Sequence, residues 1–218
     1  MKTLNVFDPG YLQHRTLYVL LALSVLVNIV FAQKLYYPDV INDLRDAMES
    51  PPAIVSADHI LGNPNAKVTV IVYADYQCPY CAGFDASIRA LIPLTNTRMI
   101  FRHFPLDFHP YAIQAAEAAE CAGAQGKFWE YGKELFASGE KLEDKNTFGK
   151  LASNLGIDKK AFDICLSAGQ FKQRVADQRE EGIRRRIRAT PTFYVNGKRF
   201  MGAIPDDQLK QLLVSSGT

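Results

Sequence analysis

The chain has little surplus of either charge: 25 Lys and Arg stand against 23 Asp and Glu in 218 residues, a formal net charge of +2. Nothing global in that balance points to nucleic acid. Four cysteines are too few for a disulfide-built miniprotein of this length. Gly (14) and Pro (11) are ordinary in number, which excludes collagen-like and low-complexity classes. No internal repeat is present. With 48% hydrophobic and 22% charged residues, the composition is that of a globular protein of one or two domains.

One segment carries no charge at all. Thr16 to Ala32 reads TLYVLLALSVLVNIVFA, preceded by His14 and Arg15 and followed by Gln33 and Lys34. About 20 apolar residues cross a bilayer, with a lower limit near 17, so a membrane anchor is expected, with Tyr36 and Tyr37 at the far interface. The rival reading is a cleaved signal segment ending at Val30-Phe31-Ala32. A buried core helix fits poorly, because the segment lacks a polar face. Lys2 and Arg15 before the run are matched by Lys34 and Arg45 after it, so charge does not set an orientation. Either leading reading exports the rest of the chain.

The expected organisation is a short tail (1–15), the apolar segment (16–32), a linker (33–56) with a helix over Asp39–Ser50 ended by Pro51-Pro52, and one folded domain (57–218). In that domain VTVIVY (Val68–Tyr73) reads as a strand buried on both faces. A helix is predicted from Pro79 to about Ile92 and a strand over Arg98–Phe104. From His109 to Arg188 the text is helical: Pro110–Ala124, Lys127–Ala137, Lys145–Leu155, Lys159–Ser167 and Phe171–Arg188. Gly126, Gly139, Gly156 and Gly169 punctuate it as helix-ending glycines do. Thr192–Val195 and Lys198–Met201 form a hairpin around Asn196-Gly197, and a helix over Asp206–Val214 closes the chain.

The chemistry sits at Cys78-Pro79-Tyr80-Cys81. Two cysteines three apart on the first turn of a helix face the same side. Cys78 at the helix start meets unpaired N–H groups and the positive end of the helix dipole, which favour its thiolate. A low thiol pKa makes both a ready nucleophile and a good leaving group. Cys81, one turn deeper, is placed to attack a mixed disulfide on Cys78. Half a zinc site is the bland alternative, but no second Cys-x-x-Cys or spaced His pair completes it. No metal and no cofactor are expected.

Gly62-Asn63-Pro64, then Asp75-Tyr76-Gln77-Cys78-Pro79-Tyr80-Cys81, then Ala189-Thr190-Pro191-Thr192-Phe193-Tyr194-Val195-Asn196-Gly197 together resemble a DsbA-type thiol–disulfide oxidoreductase. The resemblance covers about residues 57–218. It implies an α/β, thioredoxin-like fold with an inserted helical domain at about 109–188, behind the N-terminal transmembrane or signal helix. It also implies a cis Pro191 beside the active cysteines, with Pro79, Tyr80 and Thr190 as neighbours. The activity implied is dithiol oxidation of thiol-containing clients in the cell envelope, on the periplasmic or extracellular side. Reoxidation would come from a DsbB-like or VKOR-like membrane partner. A reductase or isomerase using the same site is the alternative, and a CxxC metal-binding module is a third. Two departures stand out. Val72 occupies the place where relatives often carry a buried acid, and Pro-Tyr between the cysteines lacks the histidine of strongly oxidising members.

Four cysteines allow three pairings. Pairing Cys78 with Cys81 and Cys121 with Cys165 leaves the active pair free to cycle, and some DsbA-type relatives resemble this pattern. Such a staple would contribute about 3–4 kcal/mol by loop-closure entropy. Two separate buried thiols, or a second redox-active pair, are the alternatives. Arg184, Arg185, Arg186 and Arg188 read as a solvated helix end near the C-terminal dipole, with steering of an acidic client or membrane partner as the alternative. His59, His103 and His109 are scattered, and Phe128, Trp129 and Tyr131 read as packing.

Overall fold

The computed structural model describes residues 9–36, 51–142 and 145–217. The helix expected over Asp39–Ser50 falls outside them. The chain divides into two compact units, residues 1–49 and 50–218.

The first unit contains helix α1, Pro9–Tyr36. Its described side chains, residues 16–31, are all exposed. Among the described residues no helix is long and apolar enough to cross a membrane. The expected transmembrane anchor is not supported by that finding; the described side chains of α1 form an exposed stretch.

The second unit is a five-stranded sheet in the order β1-β3-β2-β4-β5. Its strands are β1 (Ile60–Gly62), β2 (Val68–Ala74), β3 (Thr97–His103), β4 (Thr192–Val195) and β5 (Lys198–Met201). β2 and β3 run parallel; the other pairings are antiparallel. The parallel pair needs a crossover, and helix α2 (Pro79–Leu91) supplies it. Strand β1 was not foreseen, because three residues are too few to show a period. Gly62 ends it at φ +94°, where a Cβ would stand 2.6 Å from the Thr97 carbonyl oxygen.

The unbroken apolar run of β2 is explained by burial on both sides. Val68, Val70 and Val72 join the larger core with Phe84, Ile88, Met99, Phe101, Phe193 and Leu209. Ile71 and Tyr73 point into a smaller core with Ile100, Phe104, Ile187 and Tyr194. Val72 is buried in the larger core.

Five helices intervene between β3 and β4: α3 (Ala112–Gly123), α4 (Phe128–Ser138), α5 (Lys145–Asn154), α6 (Lys159–Ser167) and α7 (Lys172–Arg184). Phe128 and Tyr131 are buried there, and the Tyr131 hydroxyl donates to the Phe148 carbonyl at 2.9 Å. Helix α7 also approaches the sheet at Gly182, where a Cβ would lie 2.5 Å from Cδ2 of Phe104. It ends four residues before the predicted stop at Arg188: the Arg186 and Ile187 amides bond back to the Ile183 and Gly182 carbonyls at 2.8 and 2.9 Å. That double closure is a Schellman cap, with Arg186 at φ +55° in the position glycine usually fills. Asn196 and Gly197 both have positive φ, as a type I′ hairpin turn requires. Helix α8 (Asp206–Ser216) follows Pro205 and packs on the larger core through Leu209 and Leu213.

Candidate active site

The loop from β2 to α2 is folded by its own side chains. Asp75 is buried, and its Oδ1 accepts the Gln77 amide at 2.8 Å. Its Oδ2 accepts the Leu106 amide and lies at 2.8 Å from Nδ1 of His109. Gln77 continues the clamp: its Oε1 accepts the Tyr111 amide at 2.6 Å. These contacts bind the loop before α2 to the one before α3. They set Cys78 as the cap of α2 in extended conformation (φ −82°, ψ 117°), with Pro79 in the first turn, where no N–H is needed. The Cys78 carbonyl accepts the amides of Cys81 and Ala82 at 3.0 and 3.1 Å.

Cys78 and Cys81 are both free thiols and both buried. The Cys78 thiol reaches the Thr190 carbonyl oxygen at 3.5 Å, and the Thr190–Pro191 peptide bond is cis. Six positions singled out in sequence (Cys78, Pro79, Tyr80, Cys81, Thr190 and Pro191) therefore meet at one end of the sheet. Tyr80 stands out from it, 70% exposed. Cys121 and Cys165 do not join this site. They are bonded to each other between α3 and α6, with Cα atoms 5.9 Å apart.

The two thiols are electrostatically unequal. A hydrogen bond from the Cys81 thiol lowers the Cys78 pKa from 9.0 to about 6, against the opposing effect of burial. The Thr190 side chain and the amides of Cys81 and Tyr80 assist. Burial raises the Cys81 pKa far above its ordinary value, and the neighbouring Cys78 raises it further. One sulfur is thus held as thiolate and the other as thiol.

The histidines scattered in sequence have structural partners. Nε2 of His59 and Nε2 of His103 each lie 3.0 Å from an oxygen of buried Glu120, and Nε of Arg174 lies at 2.9 Å. Burial works against the Glu120 charge, but hydrogen bonds from His103 and His59 hold its pKa down to about 2. This cluster joins β3, α3, α7 and the segment before β1. Asp75 and Gln77 stand in the motif before Cys78 and His109 was named, but their hydrogen-bond partners were not foreseen, nor was Glu120. The only sequence signal of Glu120 is a charged residue inside an apolar run, which names no partner. Among the described residues no group of three or more His, Cys, Asp or Glu could hold a metal ion.

The family model for thioredoxin matches residues 55–214. This chain belongs to the thioredoxin family. Within it, the fold is that of the DsbA-like thiol–disulfide oxidoreductases. The chain resembles BdbD from Bacillus subtilis (25% identity, TM-score 0.67, covering 77% of this chain and 96% of that one). It also resembles a thioredoxin-like oxidoreductase from Silicibacter pomeroyi DSS-3 (25%, TM-score 0.64, 78% and 95%). The thiol–disulfide exchange protein alpha-DsbA2 from Wolbachia pipientis, at 20% identity and TM-score 0.68, covers 80% of this chain and 92% of its own, and shares the fold. Among curated proteins, the Na(+)/H(+) antiporter NhaA 1 of Salinispora arenicola is 38% identical over 167 residues, 76% of this chain and 26% of the antiporter. A Mycobacterium sp. (strain KMS) protein of the same name is 37% identical over 156 residues, 69% and 25%. The chain thus spans about a quarter of the length of these relatives, and the antiporter name belongs to those longer proteins.

Proposed function

We propose that this thioredoxin-family protein is an exported dithiol oxidase that inserts disulfides into client proteins through Cys78 and Cys81. The observation that carries the reading is the inequality of the two sulfurs: the Cys78 pKa is lowered to about 6 while that of Cys81 is raised. Whatever stabilises the thiolate stabilises the reduced pair, and a pair more stable when reduced is a stronger oxidant.

The reaction starts from the Cys78–Cys81 disulfide. A client thiolate attacks the Cys78 sulfur, the enzyme S–S bond breaks, and Cys81 leaves and takes a proton. A second client thiolate attacks the client sulfur of the mixed disulfide and expels Cys78 as its stabilised thiolate. The client loses two electrons and two protons and gains a disulfide; the enzyme gains the two electrons and ends with Cys81 as thiol and Cys78 as thiolate, the second proton passing to water. A DsbB-like or VKOR-like membrane partner would remove those electrons. Clients would be unfolded or thiol-containing proteins of the cell envelope, on the periplasmic or extracellular side.

The Thr16–Ala32 run would direct export. Fractionation tests this: recovery of the chain from the cell envelope or the medium is the expected result. A chain confined to the cytoplasm would refute export. The oxidase reading is tested by equilibrating the Cys78–Cys81 pair with glutathione. A potential near about −120 mV supports an oxidant, and one near about −270 mV, the thioredoxin range, makes it a reductant.

A further inference from the structure

The four arginines Arg184, Arg185, Arg186 and Arg188 do not form one helix end. Helix α7 stops at Arg184, so Arg186 and Arg188 lie beyond it, on the segment leading to Pro191. Both are exposed, while Ile187 between them is buried in the smaller core. The segment is fixed from the other side: Arg199 of β5 donates to the carbonyls of Arg185 and Arg186 at 3.1 and 3.0 Å. Arg186 is held at φ +55°, a conformation that glycine usually fills.

The charge here is one-sided. Residues 184–199 contain Arg184, Arg185, Arg186, Arg188, Lys198 and Arg199 and no carboxylate. Arg184 and Arg185 are balanced by Glu180 and Glu181 of α7. Among the described residues, Arg186, Arg188 and Lys198 have no ion-pair partner, although Lys198 rests on the Phe200 ring. This surplus stands on a chain of net charge +2, so the remainder of the chain is slightly acidic.

The patch runs into the active site. Arg188 is two residues from Thr190, whose carbonyl oxygen is 3.5 Å from the Cys78 sulfur. Two residues of chain reach at most about 7 Å, so a polypeptide seated over Cys78 and Pro191 brings its neighbouring residues within reach of the Arg188 guanidinium.

We propose that Arg186 and Arg188 form a specificity surface for client segments with Asp or Glu beside the reacting cysteine. This inference rests on the oxidase reading of Cys78 and Cys81. The two arginines put unpaired positive charge on the segment leading to Pro191, which attracts acidic segments and repels basic ones.

The test uses the full-length chain and three peptides that differ only in acidic, neutral or basic residues flanking a Cys pair, each also made with Ser for Cys. Binding of the Ser peptides is read by fluorescence anisotropy, which needs no redox step, and oxidation of the Cys peptides by a single turnover of protein prepared with the Cys78–Cys81 disulfide formed. The acidic peptide is expected to bind and react about tenfold better than the neutral one at low ionic strength, the preference fading toward 1 M salt, where the Debye length is about 3 Å. In Arg186→Ala/Arg188→Ala the preference disappears while neutral-peptide turnover holds. Equal binding of all three peptides, or a preference that survives in the double variant, overturns the proposal and leaves the oxidase reading standing. Arginine-dependent cosedimentation with phosphatidylglycerol vesicles, without discrimination among the peptides, also overturns it, in favour of a lipid surface. Discrimination in binding with no turnover of any peptide sustains the surface and rejects the oxidase.

Discussion

The sulfur of Cys78 lies 3.5 Å from the carbonyl oxygen of Thr190, a residue 112 positions later in the chain. Between them come α2 and β3 of the sheet unit and then the five helices α3 to α7 with their disulfide. The sulfur comes from the head of α2, and the carbonyl facing it comes from the loop before β4.

Replacing either active cysteine should separate the two halves of the reaction. Cys78→Ala is expected to abolish client oxidation, since no sulfur remains at the helix-cap end of the pair. Cys81→Ala is expected to accumulate client adducts on Cys78, visible as slower bands on non-reducing gels and removed by dithiothreitol. Undiminished oxidation by Cys78→Ala would reject the assignment.

The pH dependence comes from the two shifts. Because the Cys78 pKa is lowered from 9.0 to about 6, alkylation of the reduced protein should rise to half-maximum near pH 6, with Cys81 unreactive through neutral pH. A folded pKa below the unfolded one stabilises the reduced fold. That contribution is complete above about pH 9 and is lost as pH falls through about 6. Thiolate absorbance titrated on the reduced wild type and on Cys78→Ala gives the value directly, and a midpoint near 9 would contradict the geometry.

Gly182 is a packing requirement. A Cβ there would stand 2.5 Å from the Phe104 ring, so Gly182→Ala must push α7 off the sheet or turn a core ring. A loss of about 1–3 kcal/mol is expected in urea unfolding, as for other overpacked cores. An unchanged midpoint would show that α7 docks more loosely than this close approach requires.

Glu120 holds the helical insertion to the sheet. Glu120→Ala leaves Arg174, His103 and His59 facing an empty buried place, at an expected cost of about 3–5 kcal/mol. In the wild type the Glu120 pKa is lowered from 4.5 to about 2. Its contribution is therefore present above about pH 4.5 and lost as pH falls toward 2. Acid unfolding of the two proteins should converge at the low end, and parallel curves would assign the stability elsewhere.

The sequence by itself determined the elements whose signals are local. The doubly apolar β2, the CPYC turn into a helix, the Asn196-Gly197 hairpin and the glycine-ended helices all depend on neighbours within a few residues. The motif order Cys78–Cys81 then Thr190–Pro191 could be read because each motif is short and its residue types are chemically specific. Only the tertiary structure decided which distant groups face each other. It put Glu120 between His59, His103 and Arg174, set Asp75 across two loops, added β1 to the sheet edge, and ended α7 at Arg184 so that Arg186 and Arg188 lie beyond the helix. These outcomes depend on long-range packing: a buried carboxylate takes whatever donors the fold brings within about 3 Å, and a helix stops where the sheet's core claims Ile187. No periodicity in the chain carries that information.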